Sequence, residues 1–103
     1  MPVLAITTCS DKAEARKIAN AVIRAKLAAC VNIVPGVTSI YRWKGRKKEG
    51  SEVMLLMKTT EINLKKLGET VRKNHSYELE EFITIPIGGS REYIEWIQKE
   101  TIQ

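Results

Sequence analysis

"ACVNIVPGVTSIYRWKG", residues 29–45, decides the fold. It reads as one long β-strand with a Pro35-Gly36 break near its middle, Cys30 near its start and a Tyr41/Arg42/Trp43 cluster near its end. From Val37 the positions alternate. Val37, Ser39, Tyr41 and Trp43 point one way, and Thr38, Ile40, Arg42 and Lys44 the other. "GRKKEG" (45–50) reads as a hairpin connection and "SEVMLLMKT" (51–59) as the returning strand. As one strand, residues 29–44 would span roughly 50 Å at ~3.3 Å per residue. A compact domain of this length has a radius of gyration of only about 13 Å. The hairpin must therefore bend at Pro35-Gly36, project beyond the domain, or both.

Outward from that stretch, "VLAIT" (3–7) is an apolar run suited to a strand buried on both faces. Asp11 with Glu14 forms a capping-box-like helix start, with Ser10 a competing cap. The helix is expected to run to about Leu27, with Ala15, Ile18, Val22 and Ala25 as its apolar stripe. "TEINLKKLGETVRKNH" (60–75) predicts a second helix in which Leu64, Leu67 and Val71 share a face. Gly68 costs that helix ~1 kcal/mol relative to Ala. "EFITIPI" (81–87) is the last strand, and Pro86 inside it argues for a sheet edge. Ser90 is the expected N-cap of a closing helix, "REYIEWIQKE" (91–100).

The order β-α-β-β-α-β plus a helix, with right-handed crossovers, places both main helices on one face of a four-stranded antiparallel sheet. This is an α+β, ferredoxin-like sandwich with a C-terminal helix, in which the second and fourth strands are edges. A projecting hairpin with aromatic and aliphatic side chains on an edge strand requires a partner. Another copy of the same chain, in a closed ring that leaves no edge unpaired, is the economical one, so an obligate homo-oligomer is expected.

A chain of 103 residues has room for a single domain, residues 1–103. With 44% hydrophobic and 28% charged residues, wholesale disorder is excluded. No charged leader precedes the first apolar run, and no run suits a membrane span, so a soluble, cytoplasmic protein with no membrane partner is expected. Cys9 and Cys30 read as reduced thiols rather than a disulfide. The net charge of +5 permits an anionic partner without demanding one. Five basic side chains fall within residues 42–48, and Lys65, Lys66, Arg72 and Lys73 form a second group. A solvated hairpin tip is the simpler use of the first.

No GxGxxG or P-loop lysine signature is present, and no Cys-His or Ser-His-Asp pattern stands out, so an enzyme is the least supported class. The central strands offer aliphatics where RNA recognition on this fold would need aromatics, and no nucleic-acid partner is expected. What remains is "NHSYELEEF" (74–82). His75, Tyr77, Glu78, Glu80 and Glu81 form an N/O set that suits borderline divalent ions, copper(II) foremost on affinity. From these residues alone, a loop histidine among solvated carboxylates is the stronger reading. Lys58, at the end of the returning strand, is placed near this link, to pair with Glu81 or to face an anionic ligand. Cys30 reads as a small apolar residue. Cys9 stands near the positive end of the first helix, a position that could lower its pKa and make it reactive or metal-capable, with plain packing the stronger reading. Trp96, with Ile94 and Ile97, packs the closing helix against a neighbour.

"AACVNIVPGVTSIYRWKG", "EVMLLMKTT", His75-x-Tyr77-Glu78 with Glu81, and "YIEWI" closely resemble the CutA (CutA1, divalent-cation tolerance) family over nearly the whole chain. The resemblance implies a homotrimer similar in architecture to PII signalling proteins, with the long hairpins pairing between subunits. Tyr41, Trp43 and Trp96 would then be trimer contacts. It also implies an association with divalent cations, copper included, with His75 the residue that carries over as a metal ligand. Both prolines of the family's His-Pro-Tyr-Glu-x-Pro-Glu motif are missing, the cysteine that ends the first strand in some members is Thr7, and a preceding histidine is Asn74. By resemblance an intersubunit cleft gathers Ser39, Tyr41, Lys58, His75, Tyr77 and Glu81. Two alternatives follow: a PII-like sensor trimer binding a small anion there, or a structural interaction trimer.

Overall fold

The computed structural model describes residues 1–102. Its elements are β1 (Pro2–Cys9), α1 (Lys12–Arg24), β2 (Cys30–Trp43), β3 (Arg46–Thr60), α2 (Leu64–Lys73), β4 (Ile83–Pro86) and α3 (Arg91–Lys99). A 3-10 turn over Glu61–Asn63 leads into α2. The strands form one antiparallel sheet in the order β2-β3-β1-β4. This is the expected α+β arrangement, with β2 and β4 as edges and Pro86 on a strand paired on one side only.

The pleat divides the sheet into two unlike faces. Val3, Ala5, Thr7 and Cys9 alternate inward, opposite Thr59, Met57, Leu55 and Val53. With Ile18, Val22, Leu67 and Val71 of the helices, most of these residues make up the buried core. Leu4, Ile6, Met54 and Leu56 point to the other face and are only half-buried. Within one chain, β1 is thus fully buried on one face rather than on both.

α1 opens as expected, the Asp11 carboxylate accepting the Glu14 N–H at 2.8 Å. It ends at Arg24, short of Leu27, because Lys26 turns left-handed (φ 59°). The Lys26 and Leu27 N–H groups then bond back to the Ile23 and Val22 carbonyls at 3.0 Å each, closing the helix and folding Leu27 into the core.

The hairpin is tighter and longer than expected. Lys44 (φ 51°) and Gly45 (φ 78°) alone make the connection, a type I′ turn whose twist matches the flanking strands. Residues 46–50 therefore belong to β3, not to a loop. At Pro35-Gly36 the pairing slips between Val34 and Val37, a β-bulge with Gly36 at φ 74°. β1 pairs with β3 only as far as Cys9↔Val53. Beyond that, residues 37–43 pair with 46–52 with no third strand beside them. The molecule measures 44 × 24 × 22 Å, so the hairpin both bends and projects.

β4 is shorter than 81–87 because Phe82 turns inward over α2. A Cβ on Gly68 would stand 3.2 Å from the Phe82 ring, so the glycine that weakens the helix makes room for this contact. α3 begins at Ser90, whose Oγ accepts the Tyr93 N–H at 3.4 Å.

Lys26 holds a conformation that costs an L-residue roughly 1 kcal/mol. Lys26→Gly is expected to stabilise the fold by about 0.5–1 kcal/mol, read as a higher denaturant midpoint, with Lys26→Ala close to the parent.

Candidate metal centre and acidic groove

The link from α2 to β4 crosses the outer end of β1, and His75 is its anchor. The imidazole is buried, its side chain 1% exposed. Nε2 lies 2.7 Å from the Thr8 carbonyl oxygen, which can only accept. Nδ1 lies 3.2 Å from the Tyr77 N–H, which can only donate. These partners select the neutral tautomer with the proton on Nε2 and a lone pair on Nδ1. Thr7 Oγ1 is also 3.4 Å from Nε2.

Glu14, on the first turn of α1, faces the other side of the ring. Its Oε1 is 3.9 Å from His75 Nδ1, and its Oε2 accepts the Ser76 N–H at 2.8 Å. Cys9 completes the cluster: one donor atom each from Cys9, Glu14 and His75 lie within 4.8 Å of one another. Cys9 is buried in the core, as the packing reading expects. Burial, then the charges of Glu14, Asp11 and Glu52, push its thiol up to about 12 instead of down. The helix N-terminus cannot offset them because Asp11 already caps it.

Beside this cluster, a groove of about 640 Å³ runs between the hairpin and the link. Ser39, Tyr41 and Trp43 line one wall, Glu52 the floor, and Tyr77, Glu78, Glu80 and Glu81 the other wall. The Tyr77 hydroxyl donates to Glu52 Oε2 at 2.7 Å. Burial pushes the Glu52 carboxyl up, but hydrogen bonds from Ser39, Tyr77 and Thr8 outweigh it and hold it below the ordinary carboxylate range. Burial, followed by the Glu52 carboxylate, raises the Tyr77 hydroxyl. Lys44, at the hairpin tip, reaches the rim, its Nζ 3.9 Å from Glu78 Oε1 with both side chains exposed.

Of the residues singled out in the sequence, Ser39, Tyr41, Trp43, Tyr77 and Glu81 therefore meet in one groove. His75 sits behind Tyr77, ring centroids 4.8 Å apart, and its Nδ1, which accepts the Tyr77 N–H, lies beside Glu14 and Cys9. Lys58 is not near the link. The β1–β3 register sets it opposite Leu4, whereas the link crosses at Thr8, and its Nζ lies 5.6 Å from the Tyr93 ring. Trp96, 39% exposed, stacks at a tilt against Tyr93. Two site residues escaped the sequence reading. Glu14 looked like a helix cap only, and Glu52 looked like the polar start of a strand. Counting register back from a two-residue turn at Lys44-Gly45 would have set Glu52 on the Ser39–Tyr41 face.

Residues 3–100 match the family described as CutA1 divalent ion tolerance protein. The chain is 48% identical over 100 residues to the divalent-cation tolerance protein CutA of Thermus thermophilus, covering 96% of each. It is 42% identical over 100 residues to the chloroplastic protein CutA of Arabidopsis thaliana, covering 96% of this chain and 55% of that protein. The chain thus spans nearly all of the bacterial relative and about half of the plant one. The solved structure of a Thermus thermophilus divalent cation tolerance protein superposes with a TM-score of 0.95 at 45% identity, over 98% of this chain and 99% of that one.

Glu52 binds its proton less readily folded than unfolded, so its contribution to stability is full above the ordinary carboxylate range and lost as pH falls through and below it. Glu52→Gln is expected to flatten the acid limb of a pH–stability profile. An acid limb identical to the parent's would show that the Glu52 network contributes nothing.

Proposed function

The chain belongs to the CutA1 family of divalent ion tolerance proteins, and from that premise we propose that it is a homotrimer that binds a divalent cation, copper(II) foremost, through His75. The observation that carries this reading is the sign of the charge around the imidazole. Glu14 flanks it directly, and Glu52, Glu78, Glu80 and Glu81 line the adjoining groove. Imidazole nitrogen among carboxylate oxygens suits a borderline divalent ion. A small anion would meet four carboxylates there, which weighs against the PII-like sensor alternative. Lys58 would join that groove only as a neighbouring subunit's contribution.

The trimer is supported by what one chain leaves uncovered. The outer hairpin has open strand edges on both sides, and Ile40 (63% exposed), Tyr41 (48%), Ile83 (49%) and Ile85 (45%) are large apolar groups facing outward. Tyr41, Trp43 and Trp96 are the proposed contacts. Among the described residues no helix is long and apolar enough to cross a membrane. Two unpaired cysteines support a reducing, cytoplasmic setting. The matched family and the Thermus thermophilus relative are named for tolerance of divalent ions, and a binding role fits that description better than catalysis.

The test is a copper(II) titration of tag-free protein against a competing chelator, beside His75→Ala, with oligomer mass measured in both. Stoichiometric binding that disappears in the variant while the trimer survives is expected. Weak binding that ignores the substitution would contradict the reading and leave the groove as a polar network holding the assembly in register.

A further inference from the structure

We infer that Cys9 Sγ, the Glu14 carboxylate and His75 Nδ1 form a site for a tetrahedral, thiolate-accepting divalent cation of the zinc class. The inference rests on the cation-binding reading through His75, adds Cys9 and Glu14 as ligands, and with them replaces the copper(II) preference of an N/O set by a zinc-class ion. It differs from an N/O site drawn from the 75–81 link, because two of its donors come from the β1–α1 junction.

Geometry supplies the first argument. Donors at zinc–ligand distances of 2.0–2.3 Å around a tetrahedral ion stand about 3.3–3.7 Å from one another. His75 Nδ1 and Glu14 Oε1 are already 3.9 Å apart, and the whole cluster lies within 4.8 Å. Closing it needs a movement of roughly 1 Å, within reach of small χ rotations at Cys9 and Glu14.

The second argument is orientation. A metal-bound imidazole ordinarily donates its other N–H to a carbonyl or carboxylate, which fixes ring and tautomer. His75 does so, through Nε2–H to the Thr8 carbonyl at 2.7 Å, and this aims the Nδ1 lone pair at the cluster. Glu14 is held in the same way, its Oε2 accepting the Ser76 N–H at 2.8 Å and its Oε1, which faces Nδ1, accepting the Ser10 N–H at 3.3 Å. A cation there would displace the 3.2 Å Tyr77 N–H contact at Nδ1 and share Glu14 Oε1 with the Ser10 N–H, 3.3 Å away.

Chemistry and access agree. Sulfur, imidazole nitrogen and carboxylate oxygen together are a zinc-type set with a fourth position open to water. Copper(II), by contrast, favours flattened N/O surroundings. Glu14, Asp11 and Glu52 all surround Cys9 with negative charge, which attracts a cation. Glu14, with a side chain 12% exposed, is the entry point, while Cys9 and His75 lie behind it. As the Sγ–metal bond forms, the thiol proton passes to solvent.

Cobalt(II) is the probe, because its tetrahedral and thiolate absorption bands report geometry and ligand directly. Stoichiometric cobalt binding with a thiolate-to-metal charge-transfer band, displaced by zinc, is expected for the full chain. Cys9→Ser should remove that band while Cys30→Ser keeps it, and Glu14→Gln should weaken cobalt affinity by about 10-fold or more. Oligomer mass and circular dichroism confirm folding, and Glu14→Gln, a change at the rim, keeps the test valid if Cys9→Ser fails to fold. A cobalt complex without the band, a band that survives Cys9→Ser, or an affinity unchanged by Glu14→Gln would overturn the ligand set. If copper binding still depends on His75 in that event, the broader cation reading stands. If His75→Ala leaves all cation binding intact, both fail.

Discussion

The hydrogen bond from His75 Nε2 to the Thr8 carbonyl, at 2.7 Å, ties the candidate site to the fold. It pins the link between α2 and β4 across the end of β1. Three consequences follow from that one contact. The imidazole is held as a single tautomer, its lone pair directed at Glu14 and Cys9. Ser76 is brought to Glu14, and Tyr77 is brought over Glu52. The family's prolines would stiffen this link through the backbone. Here, with Ser76 and Glu80 in their places, side-chain hydrogen bonds to β1, α1 and β3 supply the positioning.

The second constraint is the unfinished sheet. β3 is shared: its inner half pairs with β1 and carries Leu55 and Met57 of the core, while its outer half pairs with β2 alone. Glu52 stands at the junction of the two halves. The residue that meets Tyr77 therefore sits where the body ends and the projecting hairpin begins. A partner that ordered the hairpin would through that strand also fix the groove wall formed by Ser39, Tyr41 and Trp43.

Most of the fold was legible in the sequence because it depends on local rules. Strand alternation from Val37, the Asp11 and Ser90 caps and Pro86 at an edge each follow from chemistry within a few residues. The errors lay where distant segments decide. Lys26 ends α1 early because Leu27 turns back into the core. The connection after Trp43 shrinks to Lys44-Gly45 because a twisted hairpin favours a type I′ turn. Site residues divide in the same way. Ser39, Tyr41, Tyr77 and Glu81 could be named from pattern and resemblance. Glu14 could not, since its role depends on a pairing with His75 and Ser76 far along the chain; Glu52 needed the exact turn to be known, and the raised thiol of Cys9 needed its burial. Within one chain Lys58 lies opposite Leu4 and away from the link, by a register that only the folded sheet reveals.

His75 is the only histidine in the chain, so one spectrum isolates the contact on which the site depends. Long-range proton–nitrogen NMR of the imidazole at neutral pH reports which ring nitrogen carries the proton. The proton is expected on Nε2, facing the Thr8 carbonyl, with the Nδ1 lone pair accepting the Tyr77 N–H. A proton on Nδ1, facing Glu14, would contradict it, because the Thr8 carbonyl would then have no donor and no lone pair would face the Cys9–Glu14 cluster.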